Sequence, residues 1–316
     1  MMRLIFSCLL FSHSVLVYGQ VDDYFAQYQT RQVSSHVWVI HGPLEIPTVE
    51  NRGFMNNPAF IVAEKGVIVI DPGSTEEVGE MLLQRIAQHT DLPITHVLNT
   101  HIHGDHWLAN DAIKQAYPEA IIMADPRMIK KAKAGAGQSW LESMERMTEG
   151  VSRGTQIAYP DKAVADGAQF QVHGLNFKIH SVGKAHSDSD IMIELSDDSL
   201  LFTGDNVAYE RIIRMDDGSF RDNIAACERA IALKLKHYVP GHGPTGDVSR
   251  VVAMKEYLQI IYQSVAELYE QGMSDFEMKP MIVKKLSAYQ SWSGFDEQLG
   301  KTISLALLEV EQAEFE

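Results

Sequence analysis

The sequence predicts a layered α/β protein in which strands and helices alternate, followed by a helical C-terminal region. Three observations support this fold class. First, short apolar runs read as strands at residues 36–41, 59–63, 67–70 and 94–99, with helices between 74 and 89 and near 108–117. Second, a further set of strands is predicted at residues 170–172, 177–182, 191–195 and 200–202. Third, apolar residues recur at helical spacing from residue 247 onward. This order of elements is typical of layered α/β folds.

Length and composition favour one large globular unit over two small ones. The chain has 316 residues, of which 45% are hydrophobic and 22% charged. We expect one main domain over residues 20–246, with the helical region 247–316 packed on it. The formal net charge of -15 disfavours nucleic acid and anionic membrane surfaces as partners. The expected partner is a small-molecule substrate, and the sequence gives no indication of the oligomeric state.

The first 19 residues are predicted to be a signal peptide. Arg3 supplies a positive start, residues 4–17 are largely apolar, and Gly19 ends a stretch suited to cleavage. Export to the periplasm or the medium is therefore expected, with a retained membrane anchor as the alternative. Cleavage would also remove Cys8, leaving Cys227 as the single cysteine and no internal disulfide.

Residues 101–106, His-Ile-His-Gly-Asp-His, place four metal-ligand side chains in six positions directly after a predicted strand. In an extended segment His101 and His103 project to the same side. Gly104 permits a sharp turn that brings Asp105 and His106 towards a neighbouring position. A buried cluster of this kind would leave unpaired polar groups unless a cation were present. The hexapeptide therefore predicts two adjacent metal sites.

The second half of the chain supplies the remaining ligand candidates. His186, Asp205 and His242 each end or follow a predicted strand, in glycine-containing sequence that allows close approach to a ligand. Imidazole nitrogen and carboxylate oxygen are ligands that zinc accepts, and a catalytic zinc keeps one position for water. Two zinc ions per chain are expected, with iron and manganese as open alternatives.

The motif His-x-His-x-Asp-His, followed by a lone His, a Gly-Asp and a Gly-His, resembles the metallo-β-lactamase superfamily over roughly residues 30–245. The resemblance implies a four-layer αββα sandwich with the metals at one edge. It assigns the first zinc to His101, His103 and His186, the second to Asp105, His106 and His242, and the bridge between them to Asp205. It also places Asp71 beneath the site, where the carboxylate would orient ligands. A plainer role for Asp71 is to start the turn before the first helix.

Two metals in this arrangement imply hydrolysis of an ester, thioester, lactone or amide by a metal-bridging hydroxide, with Asp105 able to handle protons. The resemblance is greatest to glyoxalase II-like and lactonase-like branches and to exported hydrolases associated with quinoprotein oxidation. A β-lactamase proper is one alternative, which the bridging Asp205 disfavours. A mononuclear iron persulfide dioxygenase is another, which the complete second site disfavours. A flavin-linked diiron protein of the same family is disfavoured too, because those proteins usually carry a Glu at the position of His103. A binding protein without catalysis usually has a broken ligand set, and none is broken here.

Candidate substrate-pocket residues flank the ligands. They are Trp107, Tyr209, Arg211 and Arg214, whose plainer roles are packing for the tryptophan and solvated surface for the arginines. Residues 125–155 lean towards helix and fit either a surface insertion above the site or a plain connecting helix. Of the two, we favour the connecting helix.

Overall fold

The computed structural model describes residues 24–314 and arranges them in four layers, with helices outside two facing sheets. This confirms the predicted αββα fold class and its helical C-terminal region. The expected signal peptide lies outside the described residues. No helix in the part of the chain that is described combines the length and the apolar character needed to cross a bilayer.

The first sheet has seven strands in chain order, antiparallel from the first to the fourth and parallel from the fourth to the seventh. They are β1 (Thr30–Gln32), β2 (Val37–Ile40), β3 (Ala59–Ala63), β4 (Gly66–Ile70), β5 (Ile94–Leu98), β6 (Ile121–Ala124) and β7 (Lys162–Ala163). In β4, Ile68 and Ile70 point into the space between the sheets, while Val67 and Val69 point to the outer helices. This alternation explains why β4 is apolar throughout, since both of its faces are covered.

Two helices cover the outer face of the first sheet: α1 (Glu76–Ala87) and α2 (Asn110–Ala116). The N-cap of α1 is Thr75, whose hydroxyl accepts the backbone N–H of Val78. Glu76 and Glu77 lie in the first turn, where the positive end of the helix dipole favours acidic side chains. Since Thr75 caps this helix, the carboxylate of Asp71 is free for other contacts.

The second sheet has five strands in the order β12-β11-β10-β9-β8. They are β8 (Gln169–Val172), β9 (Leu175–His180), β10 (Met192–Leu195), β11 (Leu200–Ala208) and β12 (His237–His242). The predicted strand at residues 200–202 was too short, because β11 continues through residue 208 beside the parallel strand β12. The pairing shifts register around Gly204, so Asp205 lies within an irregular strand rather than after it.

A helical segment connects β6 to β7 of the first sheet: α3 (Pro126–Lys131), a π-helical turn over residues 132–136, and α4 (Gly137–Met147). Gly135 has a φ of 118° inside the turn, a conformation that glycine adopts without the strain a side chain would add. The backbone bends there, which lets α4 return over the ligand loop instead of continuing α3.

Four helices cover the outer face of the second sheet: α5 (Phe220–Ala232), α6 (Ser249–Tyr269), α7 (Asp275–Lys285) and α8 (Phe295–Ala313). Their apolar faces share one buried cluster with the outward side chains of β11 and β12. The C-terminal region thus packs on the same body as the sheets. The first turn of α8 also lies beside the open edge of the sandwich.

Candidate metal centre

The predicted ligands meet at one edge of the sandwich, where both sheets end. His101 and His103 lie in the loop after β5, and residues 104–106 form a single 3₁₀ turn that brings Asp105 and His106 round to the same side. His242 is the last residue of β12, beside Asp205 of β11. A Cβ added at Gly241 would overlap the Asp205 carboxylate, so only glycine allows the two strands to present both ligands.

His186 comes from the loop between β9 and β10. Asp190 fixes this loop, because its carboxylate accepts the backbone N–H of Ser187 at 2.6 Å and the Ser187 hydroxyl at 2.9 Å. The ring of His186 is buried, and its Nε2 lies 2.9 Å from Nδ1 of His103. The loop between β9 and β10 therefore completes the group that begins after β5.

The donor atoms form overlapping groups whose members lie within 4.8 Å of one another. The groups are His101, His103 and His186; His101, His106 and Asp205; and Asp105, His106 and His242. Asp205 touches members of both outer groups, since its carboxylate lies 3.5 Å from His186 Nε2 and 3.2 Å from His242 Nε2. The structure thus brings together all seven residues, in the arrangement expected for two ions with one shared carboxylate.

Four of the donor atoms are buried without hydrogen-bond partners. They are His101 Nε2, His106 Nε2, Asp105 Oδ2 and Asp205 Oδ1. Buried polar atoms of folded proteins are nearly always paired, and an unpaired one costs stability. Imidazole and carboxylate atoms that converge without partners fit a divalent cation. The residues present therefore suit the metal that the family resemblance implies.

The pKa values of the buried ligands follow from their neighbours. Burial lowers the pKa of His101 well below its ordinary value and that of His186 to about 3, which keeps both rings neutral and able to bind metal. For Asp205, burial opposes ionisation, but the neighbouring His242 and His106 outweigh it and hold the pKa well below the ordinary value. The same holds for Asp105, where His106 is the main stabilising neighbour. Both carboxylates are ionised at neutral pH.

Asp71 lies directly beneath the ligands. Its carboxylate accepts the backbone N–H of Thr100 at 2.8 Å, the Thr100 hydroxyl at 2.6 Å and Nδ1–H of His106 at 2.8 Å. In the neutral ring that metal binding requires, the contact at Nδ1 leaves Nε2 of His106 free of hydrogen, and this nitrogen is directed at the Asp105 and Asp205 carboxylates. Asp71 therefore sets both the tautomer and the orientation of this ligand.

Five of the seven ligands form the floor of a cleft of about 870 Å³, counting the space open to solvent, which suits a small molecule; they are His103, Asp105, His186, Asp205 and His242. One wall is apolar and comes from two segments that the sequence did not single out: Ile46, Pro47 and Met55 before β3, and Trp140, Met144 and Met147 on α4. The favoured interpretation of residues 125–155 as a plain connecting helix was therefore wrong. The segment covers the site, as the alternative expected.

The opposite wall carries the two arginines predicted as pocket residues. Arg214 is half exposed and forms an ion pair with Asp216 at 3.1 Å. Arg211 is buried, with 7% of its surface exposed, and donates a hydrogen bond of 3.3 Å to the carbonyl of Glu45. Within residues 24–314 it has no carboxylate partner at ion-pair distance. The cleft extends past both arginines to the first turn of α8.

The other two pocket candidates do not line this cleft. Trp107 is fully buried in the cluster under α3 and α4, and its Nε1–H donates to the carbonyl of Ile102 at 2.8 Å. Tyr209 packs edge-on against Trp292 and lies under the guanidinium of Arg250, 4.0 Å from the ring centroid. Both side chains serve packing, which for Trp107 is the plainer interpretation given above.

One contact that the sequence did not indicate involves Asp217, whose carboxylate accepts Nε2–H of His103 at 3.2 Å. Asp216 and Asp217 stand in a Met-Asp-Asp-Gly stretch that has the composition of an ordinary surface turn. Only the fold shows that this turn returns to the ligand loop, so no local sequence signal could have identified it.

A profile described as the metallo-beta-lactamase superfamily matches residues 51–242, more than half of the chain. The chain therefore belongs to the metallo-β-lactamase superfamily, a largely hydrolytic family whose members bind metals. The matched segment ends at His242 and contains every ligand candidate. The C-terminal helices lie beyond it.

Particular relatives support the same assignment. A probable metallo-hydrolase of Streptococcus pyogenes is 27% identical over 198 residues, covering 60% of this chain and 79% of the relative. A probable metallo-hydrolase of Methanocaldococcus jannaschii is 25% identical over 204 residues, covering 62% and 91%. Among solved structures, a metallo-beta-lactamase from Pontibacter korlensis superposes with a TM-score of 0.60 at 21% identity, covering 74% of this chain and 99% of that one. That likeness concerns the fold alone.

Proposed function

We propose that the chain is a dinuclear zinc hydrolase that cleaves an ester, thioester, lactone or amide bond in a small molecule carrying an anionic group. The observation that supports this most strongly is the convergence of seven histidine and aspartate side chains at one site, five of them lining the floor of one cleft. Two zinc ions held there would activate water near neutral pH and polarise the substrate carbonyl.

Asp105 and Asp71 have different roles beside those ions. Asp105 both belongs to the second ligand group and faces the cleft. Because its carboxylate is ionised at neutral pH, it can accept the proton of the attacking water and later deliver it to the leaving group. Asp71 keeps His106 in the metal-binding tautomer, so the ligand set is preorganised before substrate arrives.

The proposal that the substrate carries an anionic group rests on Arg211. A buried guanidinium is costly unless an acceptor compensates its charge, and among the described residues its one oxygen acceptor is the Glu45 carbonyl. Arg211 Nη1 also lies 3.2 Å from His242 Nδ1, but that nitrogen donates to the Met55 carbonyl at 2.7 Å. Once Nε2 of His242 holds metal, both atoms of the Arg211 contact carry hydrogen. Arg211 lines the cleft, and its remaining donors suit a carboxylate or similar group.

Metal analysis and turnover test the first part of the proposal. We expect two zinc ions per chain after purification without added metal, and hydrolysis in a screen of lactams, lactones, thioesters and arylsulfate or phosphate esters. His103→Ala should lose metal and nearly all turnover while circular dichroism stays unchanged. The matched control is His237→Ala, at the opposite end of β12 from His242 and about 17 Å away along the strand.

Matched substrates test the second part. We expect kcat/KM to be higher for a carboxylated ester than for its neutral analogue, and Arg211→Gln to reduce this preference roughly 10- to 100-fold. Arg214→Gln should have a smaller effect, since that arginine is half exposed and already paired. Equal hydrolysis of both substrates by the parent and by Arg211→Gln would remove the anionic requirement.

The same measurements separate the alternatives. If the protein contains one iron per chain and consumes oxygen, the persulfide dioxygenase alternative would be supported and hydrolysis rejected. Turnover confined to lactams would identify a β-lactamase proper. We also propose export, on the composition of residues 1–19. Mature protein that begins at Gln20 outside the cytoplasm would support it, and an intact Met1 on cytoplasmic protein would refute it.

A further inference from the structure

We infer that Asp217 is a positioning residue for the first metal group: it holds His103 in the tautomer and orientation that metal binding requires. The inference rests on the metal binding proposed above. It concerns a residue outside the ligand set, in the loop of residues 209–219 between β11 and α5, which we call the β11–α5 loop.

The two ring nitrogens of His103 face different partners. Nδ1 lies 2.9 Å from Nε2 of His186, inside the ligand group. Nε2 lies 3.2 Å from the Asp217 carboxylate, outside it. A nitrogen that binds metal must be free of hydrogen, so the ring hydrogen of the neutral form belongs on Nε2, which donates it to Asp217. The carboxylate therefore selects the tautomer with a free Nδ1.

His103 needs this support more than the other histidine ligands. Its side chain is 12% exposed, whereas those of His106, His186 and His242 are 0 to 2% exposed. The other rings are enclosed by packing, and Nδ1 of His106 and of His242 each has a buried hydrogen-bond acceptor. His103 has the ring of Trp140 on one side, with centroids 4.9 Å apart, and the hydrogen bond to Asp217 on the other. Without Asp217, Nε2 would lose its hydrogen bond, and ring rotation would be limited by ring contacts with Trp140, His101 and His186.

The backbone next to Asp217 is fixed although the side chain is 60% exposed. The N–H of Ser219 donates to the carbonyl of Ala185 at 2.8 Å, beside the ligand His186. A Cβ added at Gly218 would lie 2.5 Å from the same carbonyl, so glycine permits this close docking. Ser219 also caps α5 by accepting the N–H of Asp222. The β11–α5 loop is thereby anchored beside both His103 and His186.

Such an outer carboxylate orients a metal-bound histidine and raises its basicity, and its loss typically weakens metal binding about 10- to 100-fold. The ring of His103 belongs to one of the two outer ligand groups only. Removal of Asp217 should therefore weaken one of the two binding steps and leave the other close to that of the parent.

The test compares stepwise zinc affinities of Asp217→Ala, Asp217→Asn and the parent, measured by competition with a chromophoric chelator. We expect one step to weaken about 10- to 100-fold in Asp217→Ala, and less in Asp217→Asn, which retains an acceptor oxygen. The matched control is Asp216→Asn: its carboxylate pairs with Arg214 and Lys301 and touches no ligand. The visible spectrum of cobalt-loaded protein should change in Asp217→Ala and remain parent-like in the control.

Thermal unfolding of the metal-free proteins provides a readout that separates positioning from folding, and it should be the same for parent and Asp217→Ala. Unchanged affinities in Asp217→Ala, or an equal loss in Asp216→Asn, would overturn the role of Asp217 while leaving the proposed function intact. A parent protein that binds no divalent metal would overturn both proposals together.

Discussion

The substitution Asp71→Asn isolates the control of a ligand's tautomer. In the parent, one carboxylate oxygen accepts both the Thr100 hydroxyl and Nδ1–H of His106, at 2.6 and 2.8 Å. An asparagine can keep its oxygen on the Thr100 N–H, but its amide then places an N–H opposite Nδ1–H. Relief of this conflict requires the ring hydrogen to move to Nε2, the nitrogen that faces Asp105 and Asp205.

The expected cost follows from that tautomer. A ring that must return to the less favoured form to bind metal should lose about 10- to 100-fold in affinity, or about 1.4 to 2.8 kcal/mol. The loss should fall on the group that contains His106 and His242, and kcat should fall with occupancy. Chelator competition measures the affinity, and turnover at saturating zinc separates occupancy from chemistry.

Asp198→Asn is the matched control. Asp198 is another buried carboxylate on a histidine, accepting the ring N–H of His36 at 2.6 Å and its backbone N–H at 2.9 Å, and it lies in the turn Ser196–Asp198 that precedes β11, outside the ligand groups. It should reduce the free energy of unfolding by about 1 to 3 kcal/mol without loss of metal. An Asp71→Asn protein that binds two zinc ions with parent affinity would refute the reasoning.

Three further changes test other parts of the structure. Trp107→Phe removes the donor to the Ile102 carbonyl, so the free energy of unfolding should fall by about 1 to 3 kcal/mol, with KM unchanged. An altered KM would indicate that Trp107 contributes to substrate binding. Burial raises the pKa of Cys227 to about 12, so a thiol reagent at pH 8 should react only after denaturant is added; rapid labelling of the native protein would contradict this. Burial lowers the pKa of His41 to about 4, and its Nε2 accepts the Thr245 N–H. The unfolded chain takes up that proton near pH 6.5, so stability should fall as the pH drops from 6.5 towards 4, by up to about 3 kcal/mol, and His41→Gln should lack this component.

The ligand set was predictable because metal chemistry constrains residue type and spacing within short segments. Four donors in the hexapeptide 101–106 are hard to accommodate in a folded chain without a cation, and the fold brought His186, Asp205 and His242 to them as expected. Strand boundaries were less predictable: β11 extends because the parallel strand β12 pairs with it, a tertiary effect that residues 200–208 do not encode locally.

The residues that line the walls of the cleft were harder to predict from the sequence than the ligands. Trp107 was a candidate for the substrate pocket because it follows a ligand, yet neighbouring residues of a tight turn point in different directions, and it is His106 that points to the site. Conversely, Trp140 lines the cleft from a helix whose pattern resembles an ordinary amphipathic one. Contacts between residues far apart in the sequence, such as that of Asp217 with His103, cannot be predicted from local composition.

The position of His242 at the end of β12 has a consequence for the order of assembly. The hexapeptide ligands follow a strand of the first sheet, whereas Asp205 and His242 belong to the last two strands of the second, joined only after the α5 crossover is made. A nascent or refolding chain therefore gathers its donors late, when the two sheets have docked. Uptake of zinc during refolding should lag behind the recovery of helical circular dichroism, so the ion reports completed tertiary structure rather than nucleating it.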